Sequence, residues 1–404
     1  MRTEIRGPIA QTSGAAIAEQ ALRACVHCGM CNATCPTYQL SGDELEGPRG
    51  RIYLMKQALE GAAPTRLTLD HLETCLSCRA CETTCPSGVQ YHRLYEVGHA
   101  AVADTVDRPW RERLTREAIR RITVSPSLFR LAATLGRLFR FALPEALRSK
   151  IPPTVVAGPR PTARHARTML MLTGCVQSAA AAHFNAATAR VFDRLGVSLV
   201  EAPEAGCCGA VSQHLDAPEA ARVQARANLD AWRSLIEAGA EALIVNSSGC
   251  AAFLRDYPDL LRDDASYRDL AVRLAALVRD PIEVLENAPE VVARRPPAVP
   301  RVAVHEPCTL QHGLKLTGRI ATLLERLGYE PQPVADNHLC CGSAGAYSLL
   351  QPQISERLKA NKLAVLNASR PAAIYTANIG CWMHLGAGSP TPVRHWIEAV
   401  EAVL

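Results

Sequence analysis

Two stretches of this 404-residue chain carry the same cysteine spacing: CVHCGMCNATCP at 25–36 and CLSCRACETTCP at 75–86. Each reads C-x2-C-x2-C-x3-C-P, and no other feature constrains the fold as much. Three thiols two residues apart can close on one small object, whereas a fourth, three residues further on, leaves that turn and reaches a second object. The proline then turns the chain away. The chain has sixteen cysteines in all. Its amino terminus, MRTEIRGPIAQTSGAA, lacks the apolar stretch of a secretory signal. A cytoplasmic location is therefore expected, where metal or redox chemistry is a better use of cysteine than a disulfide framework.

The repeated run is the pattern of bacterial two-cluster ferredoxins, whose fourth cysteine serves the other cluster. One [4Fe–4S] cluster is expected on Cys25, Cys28, Cys31 and Cys85, and a second on Cys75, Cys78, Cys81 and Cys35. Structural zinc is the competing use, but zinc ligands usually come as separated C-x2-C pairs. Between the motifs, Gly47-Pro48-Arg49-Gly50-Arg51 opens a helix through IYLMKQALE. Arg49 and Arg51 either lie near a cluster or form a solvated helix start. His27, inside the first ligand loop, is expected to face solvent.

The other eight cysteines form an internal repeat. Cys175, Cys207, Cys208 and Cys250 are matched by Cys308, Cys340, Cys341 and Cys381. The first gap is 32 residues in both copies, and the last is 42 in one and 40 in the other. TMLMLTGC (168–175) aligns with RVAVHEPC (301–308), and ALIVNSSGC (242–250) with AAIYTANIGC (372–381). Each reads as a short buried strand ending at a cysteine, and helical text follows the first of each pair. Such alternation predicts parallel α/β sheets, with Cys175, Cys250, Cys308 and Cys381 at the carboxyl ends of strands, where ligands gather. In each Cys-Cys-Gly, glycine permits a loop that turns both thiols inward. The fold class expected is α+β and multidomain: a mainly helical two-cluster domain (1–100), a basic helical interface segment (101–165), and two tandem α/β cysteine-rich domains (166–290 and 300–404). APEVVARRPPAVP (288–300) and PPTVVAGPRPTARH (152–165) read as linkers.

Two ferredoxin motifs followed by two CCG repeats resemble the iron–sulfur subunit family of glycolate oxidase. The lactate-utilisation, anaerobic glycerol-3-phosphate dehydrogenase and heterodisulfide reductase iron–sulfur subunits are its relatives. The resemblance runs from about residue 20 to the end and is strongest in GPRGRIYLMKQALEG, EAGCCGA, NHLCCGSAGAY and NIGCWMHLGAGSPTPVRHWIE. It implies an oxidoreductase subunit that takes electrons from FAD-binding partner subunits and passes them to quinone or another respiratory acceptor. Lactate and glycerol-3-phosphate dehydrogenases are the alternative complexes. A disulfide or quinone reductase with its own catalytic cluster is a further one. Residues for substrate catalysis are not assigned, because no G-x-G-x-x-G opens a helix after a strand. Relatives often end each repeat in C-x2-C; here Phe253 and His384 stand at the last position. Cys308, Cys340, Cys341 and Cys381 either form a third centre, with His384 as an added ligand or a hydrogen-bonding neighbour, or pack and dock partner groups without metal. Cys175, Cys207, Cys208 and Cys250 are either a site or structural. His305 and His338 are expected to be local hydrogen-bond partners.

Nine arginines face three acids between Arg111 and Arg148. LFRLAATLGRLFRFAL (128–143) is amphipathic and basic, which suits a helix packed on its own protein or on a partner subunit, or the cytoplasmic face of a membrane. A net charge of +5 with few aromatic residues does not resemble a nucleic-acid footprint, and no apolar run reaches the roughly 18 residues of a spanning helix.

Overall fold

The structure, a computed structural model, describes residues 2–143, 148, 150–288 and 299–404. The first hundred residues are helical. Pro48 occupies the first turn of the helix Pro48–Leu59, where its missing N–H costs nothing. Ile52, Met55 and Leu59 then fall on one buried face. That face meets Leu94, Val97 and Val102 of the helix Tyr91–Ala103, and Ala18, Ala21 and Leu22 of the helix Ser13–Ala24. The approach is close at Gly98, where a Cβ would lie 2.7 Å from the Met55 side chain. This small helical core holds the two cysteine loops against each other.

Each later repeat is a four-stranded parallel sheet. In the first, β1 (Arg167–Met171), β2 (Val197–Val200), β3 (Leu243–Ile244) and β4 (Val278–Arg279) lie in the order β2-β1-β3-β4. In the second, β5 (Arg301–His305), β6 (Glu330–Gln332), β7 (Ala373–Thr376) and β8 (Val393–His395) lie in the order β6-β5-β7-β8. Central strands are apolar on both faces, as parallel strands covered by helices must be. The order is the same in both copies, so the internal repeat seen in the cysteines is also a repeat of topology.

One apolar core joins the sheets, running from Leu170 and Ile244 to Val302 and Trp396. Equivalent loops of the two repeats meet at its edge. Ser248 N–H donates to Ala377 O at 3.0 Å, and Ser247 Oγ donates to Asn378 Oδ1 at 3.2 Å. The carboxyl ends of both sheets therefore border one shared cavity of about 480 Å³.

The helical part docks on both repeats. Arg93 pairs with Asp259 at 2.7 Å, and Tyr347 O–H donates to Thr74 O at 3.0 Å. Arg108 and Arg116 both pair with Glu73 and Asp216. The arginine-rich segment is thus not uniformly a free basic face: Arg116 is buried in this network. Pro126 marks the break between the helices Trp110–Val124 and Pro126–Leu138. Pro144 and most of the 288–300 linker lie outside the described residues.

Candidate metal centres

Each cysteine loop winds through left-handed backbone. His27 and Ser77, at the same motif position, have φ of 56° and 50°. Gly29 and Arg79, two residues later, have φ of 82° and 61°. Non-glycine residues rarely adopt this region, and at functional sites the surrounding structure holds them there. Here Arg79 is held by its ion pair with Asp256 of the first sheet domain. Arg49 lies over Gly29 so closely that a Cβ at that position would collide with its guanidinium. The shared conformation lets both loops turn three sulfurs to one side.

Two cavities result. One is lined by Cys25, Cys28, Cys31 and Cys85, the other by Cys35, Cys75, Cys78 and Cys81. The fourth cysteine of each motif, Cys35 or Cys85, thus lines the cavity that the other motif's first three thiols surround. Pro48, Cys81 and Tyr91 stand between the cavities and line both. Burial pushes the Cys31 thiol up to about 11 and also raises Cys25, Cys75, Cys78 and Cys81. Thiols converging on two small cavities, most of them buried or half-buried, are the donor set that an iron–sulfur cluster requires.

Both arginines of the GPRGR stretch lie at these cavities rather than at a solvated helix start. Arg49 lines the first cavity and is gripped by Glu44 at 2.6 and 2.9 Å. Arg51 is 1% exposed. Its Nη1 lies 3.9 Å from Cys35 Sγ, while Nη2 reaches Thr37 Oγ1 at 3.1 Å, Thr74 Oγ1 at 2.7 Å and Glu46 Oε2 at 3.0 Å. A fixed cation beside Cys35 favours extra negative charge in the second cavity. His27 is half-buried, not solvent-facing, and its ring meets the edge of Tyr53.

The CCG cysteines also gather. Cys175 Sγ lies 3.3 Å from Cys207 Sγ, and Cys308 Sγ 3.8 Å from Cys340 Sγ. Cys341 Sγ lies 3.4 Å from Cys381 Sγ. Cys308 and Cys175 are pushed up, first by these thiol contacts and then by burial. Gly342, at φ +88°, makes the turn that aims Cys340 and Cys341 inward; a Cβ there would sit 2.7 Å from Ser355 O. Both quartets line the shared cavity. The second also packs against the helical domain: Cys340 and Cys308 lie in one apolar cluster with Cys78, Leu76 and Tyr347.

The histidines sort differently from the sequence expectation. Both ring nitrogens of His384 have partners other than the thiols. Its Nε2 lies 3.3 Å from Ser355 Oγ and its Nδ1 3.3 Å from Lys150 Nζ. Burial, then Lys150 and Lys359, hold its pKa down at about 4. His338 offers its backbone carbonyl to His312 Nε2 at 3.0 Å. Among the described residues, the compact group of potential metal ligands in this domain is His305, Cys341 and Cys381. Burial, then Lys362 and His384, hold the His305 imidazole neutral.

Comparison with known proteins finds family matches over three stretches of the chain. A 4Fe-4S dicluster domain family matches residues 21–89, and a cysteine-rich domain family matches residues 169–255 and 302–386. The glycolate oxidase iron-sulfur subunit of Escherichia coli strain K12 is 50% identical over 406 aligned residues, covering 100% of this chain and 99% of that protein. A probable glycolate oxidase iron-sulfur subunit of Bacillus subtilis strain 168 is 29% identical, over 90% of this chain and 88% of its own. Lactate utilization protein A of Geobacillus thermodenitrificans is 30% identical over 53% of this chain and 90% of its own.

Proposed function

The chain belongs to the glycolate oxidase iron–sulfur subunit family, and on that footing we propose that it is the electron-transfer subunit of a glycolate dehydrogenase complex. Glycolate is oxidised to glyoxylate at flavin on partner subunits, which releases two electrons and two protons. The chain carries the electrons towards quinone or another respiratory acceptor. The observation that carries this reading is the gathering of eight N-terminal cysteines around two cavities with a common wall. Cys25, Cys28, Cys31 and Cys85 hold one [4Fe–4S] cluster, and Cys75, Cys78, Cys81 and Cys35 the other. When bound, the clusters supply one-electron storage.

The chain's own residues set the order of the sites. Cys28 is the exposed cysteine of the set, and beside it Val26, Met30 and Tyr53 are also exposed. This end faces the electron donor. The second cavity is buried and guarded by Arg51. Beyond it, Cys78 adjoins Cys308 and Cys340 of the second CCG repeat. The shared cavity between the repeats supports a second reading, in which the acceptor is reduced within this chain beside both CCG quartets.

The anaerobically purified, tagged full-length chain is expected to bring its flavin-containing partners with it in fixed ratio. A brown monomer with no flavin protein, recovered from cells that oxidise glycolate, would count against the complex.

No described helix is long and apolar enough to cross a membrane. The helix Pro126–Leu138 has no buried residue. It turns Leu128, Leu131, Leu135 and Leu138 outward at 45 to 66% exposure, followed by Phe141 at 82%. Its other side, through Phe129, lines the shared cavity. Fully covering one leucine is worth about 1.5–3 kcal/mol, so a bare row of four, flanked by Arg130 and Arg140, marks a surface that meets something apolar. We assign it to peripheral contact with the anionic cytoplasmic leaflet. Leu131→Glu/Leu135→Glu is expected to lower binding to phosphatidylglycerol vesicles about tenfold or more, with cluster content unchanged. Equal sedimentation of both proteins would remove the assignment.

A further inference from the structure

The second CCG repeat contains a polar pair that its fold does not need. His305 ends β5, and Thr376 lies opposite it on β7 in the parallel register. In the aligned first repeat the same two positions are Leu172 and Val245, both buried. The same sheet is therefore built there with an apolar pair. At these two strand positions the second repeat places an imidazole beside its converging cysteines, and the first does not.

That imidazole is set up to offer one nitrogen. His305 is 1% exposed. Its Nδ1 is 3.0 Å from Thr376 Oγ1; in the tautomer protonated at Nδ1, Thr376 accepts that proton and the lone pair is left on Nε2. Among the described atoms, Nε2 is buried with no hydrogen-bond partner. Leaving such a group unsatisfied costs on the order of 1–3 kcal/mol. The potential ligand atoms of His305, Cys341 and Cys381 all lie within 4.8 Å of one another. Three separate elements supply them: the end of β5, the CCG loop, and the helix Ile379–Gly386.

We propose that His305 Nε2, with the sulfurs of Cys341 and Cys381, ligates one iron of an iron–sulfur centre in the second CCG repeat. The proposal rests on the electron-transfer reading above and deepens it. Imidazole and thiolate together suit iron, zinc or copper. Iron is favoured because Cys308 and Cys340 stand beside this trio with Cys78 of the second ferredoxin cavity packed against them, a position useful to a redox centre and not to a structural ion. A Thr-bonded imidazole also follows the rule that a ligating histidine donates its other N–H, which fixes the ring. Replacing a thiolate by a neutral imidazole leaves a less negative centre, which is easier to reduce. His305 thereby makes the second repeat the downhill end of the relay. The first repeat, with Leu172 at that position, lacks the ligand.

The test uses the full-length chain prepared anaerobically with isotope-labelled histidine. Pulsed paramagnetic resonance of the reduced protein is expected to show a directly coordinated histidine nitrogen, and iron is expected to exceed the roughly eight atoms of two [4Fe–4S] clusters. His305→Leu/Thr376→Val copies the first repeat's apolar pair, so the fold is retained, as intact ferredoxin signals will report. This variant is expected to lose the nitrogen coupling and the excess iron. His305→Cys is expected to recover iron without the coupling. No histidine coupling in the unmodified chain, zinc in place of the excess iron, or an unchanged spectrum in the double variant would each overturn the proposal. Reduction of the two N-terminal signals by glycolate is read separately on the purified complex. Its failure would sink the electron-transfer reading while leaving the ligand question decided.

Discussion

Serine in place of Cys28 is expected to remove one [4Fe–4S] cluster and leave the other, and serine in place of Cys78 to do the reverse. Each variant loses roughly four of about eight N-terminal irons. The crossing ligands give the sharper result. Cys35→Ser is expected to disturb the signal that Cys78→Ser removes, although Cys35 is adjacent in sequence to the first motif. Cys85→Ser is expected to disturb the signal that Cys28→Ser removes. The reason is geometric: Cys35 lines the cavity of Cys75, Cys78 and Cys81, and Cys85 that of Cys25, Cys28 and Cys31. The Cys35 variant also leaves the buried Arg51 without a sulfur beside Nη1, so its remaining spectrum should shift more than that of Cys85→Ser. Iron and sulfide assays with paramagnetic resonance on the four variants settle the ligand sets. Effects confined to each motif's own cluster would contradict the crossed arrangement.

Much of this arrangement was legible because cysteine spacing reports ligand geometry directly. A fixed C-x2-C-x2-C-x3-C run specifies a turn and an exit from it. The repeated gap of 32 residues between Cys175 and Cys207, and between Cys308 and Cys340, specifies a common topology. Two parallel sheets of identical strand order follow from it. What sequence could not reveal is what non-local pairing decides. His384 follows Cys381 by three residues on one helix, the spacing of a neighbouring ligand. Its ring is instead bonded to Ser355 and Lys150. His305 is far from Cys381 in sequence but lies on the strand next to β7, so sheet register brings it to the thiols. The aligned repeats did hold a signal: Leu172 and Val245 against His305 and Thr376, a pair that changes polarity together. Charge counting failed in the same way. Arg116 looks like its neighbours in sequence, yet Glu73 and Asp216 from distant segments hold it inside. Arg51 fits a solvated helix start by sequence alone, but the helix Pro48–Leu59 turns it into the interior beside Cys35.

The largest functional effect expected is on glycolate-driven reduction. On the proposed reading, electrons leaving glycolate in the intact complex enter this chain at its exposed end, beside Cys28, and continue past Arg51 towards the second CCG repeat. Loss of the first cluster therefore interrupts the path at its entry, even though the flavin subunits still bind substrate. Anaerobic addition of glycolate to the purified complex, followed by freeze-quenched paramagnetic resonance, tests this directly. The account predicts that both ferredoxin-type signals appear on mixing in the unmodified complex. In the Cys28→Ser complex the flavin is expected to be reduced while the remaining cluster stays oxidised, with its rate of reduction lowered at least about a hundredfold, a barrier increase of about 2.7 kcal/mol. Clusters that stay oxidised in the unmodified complex while its flavin is reduced by glycolate would contradict the account, as would unimpaired reduction of the second cluster in Cys28→Ser.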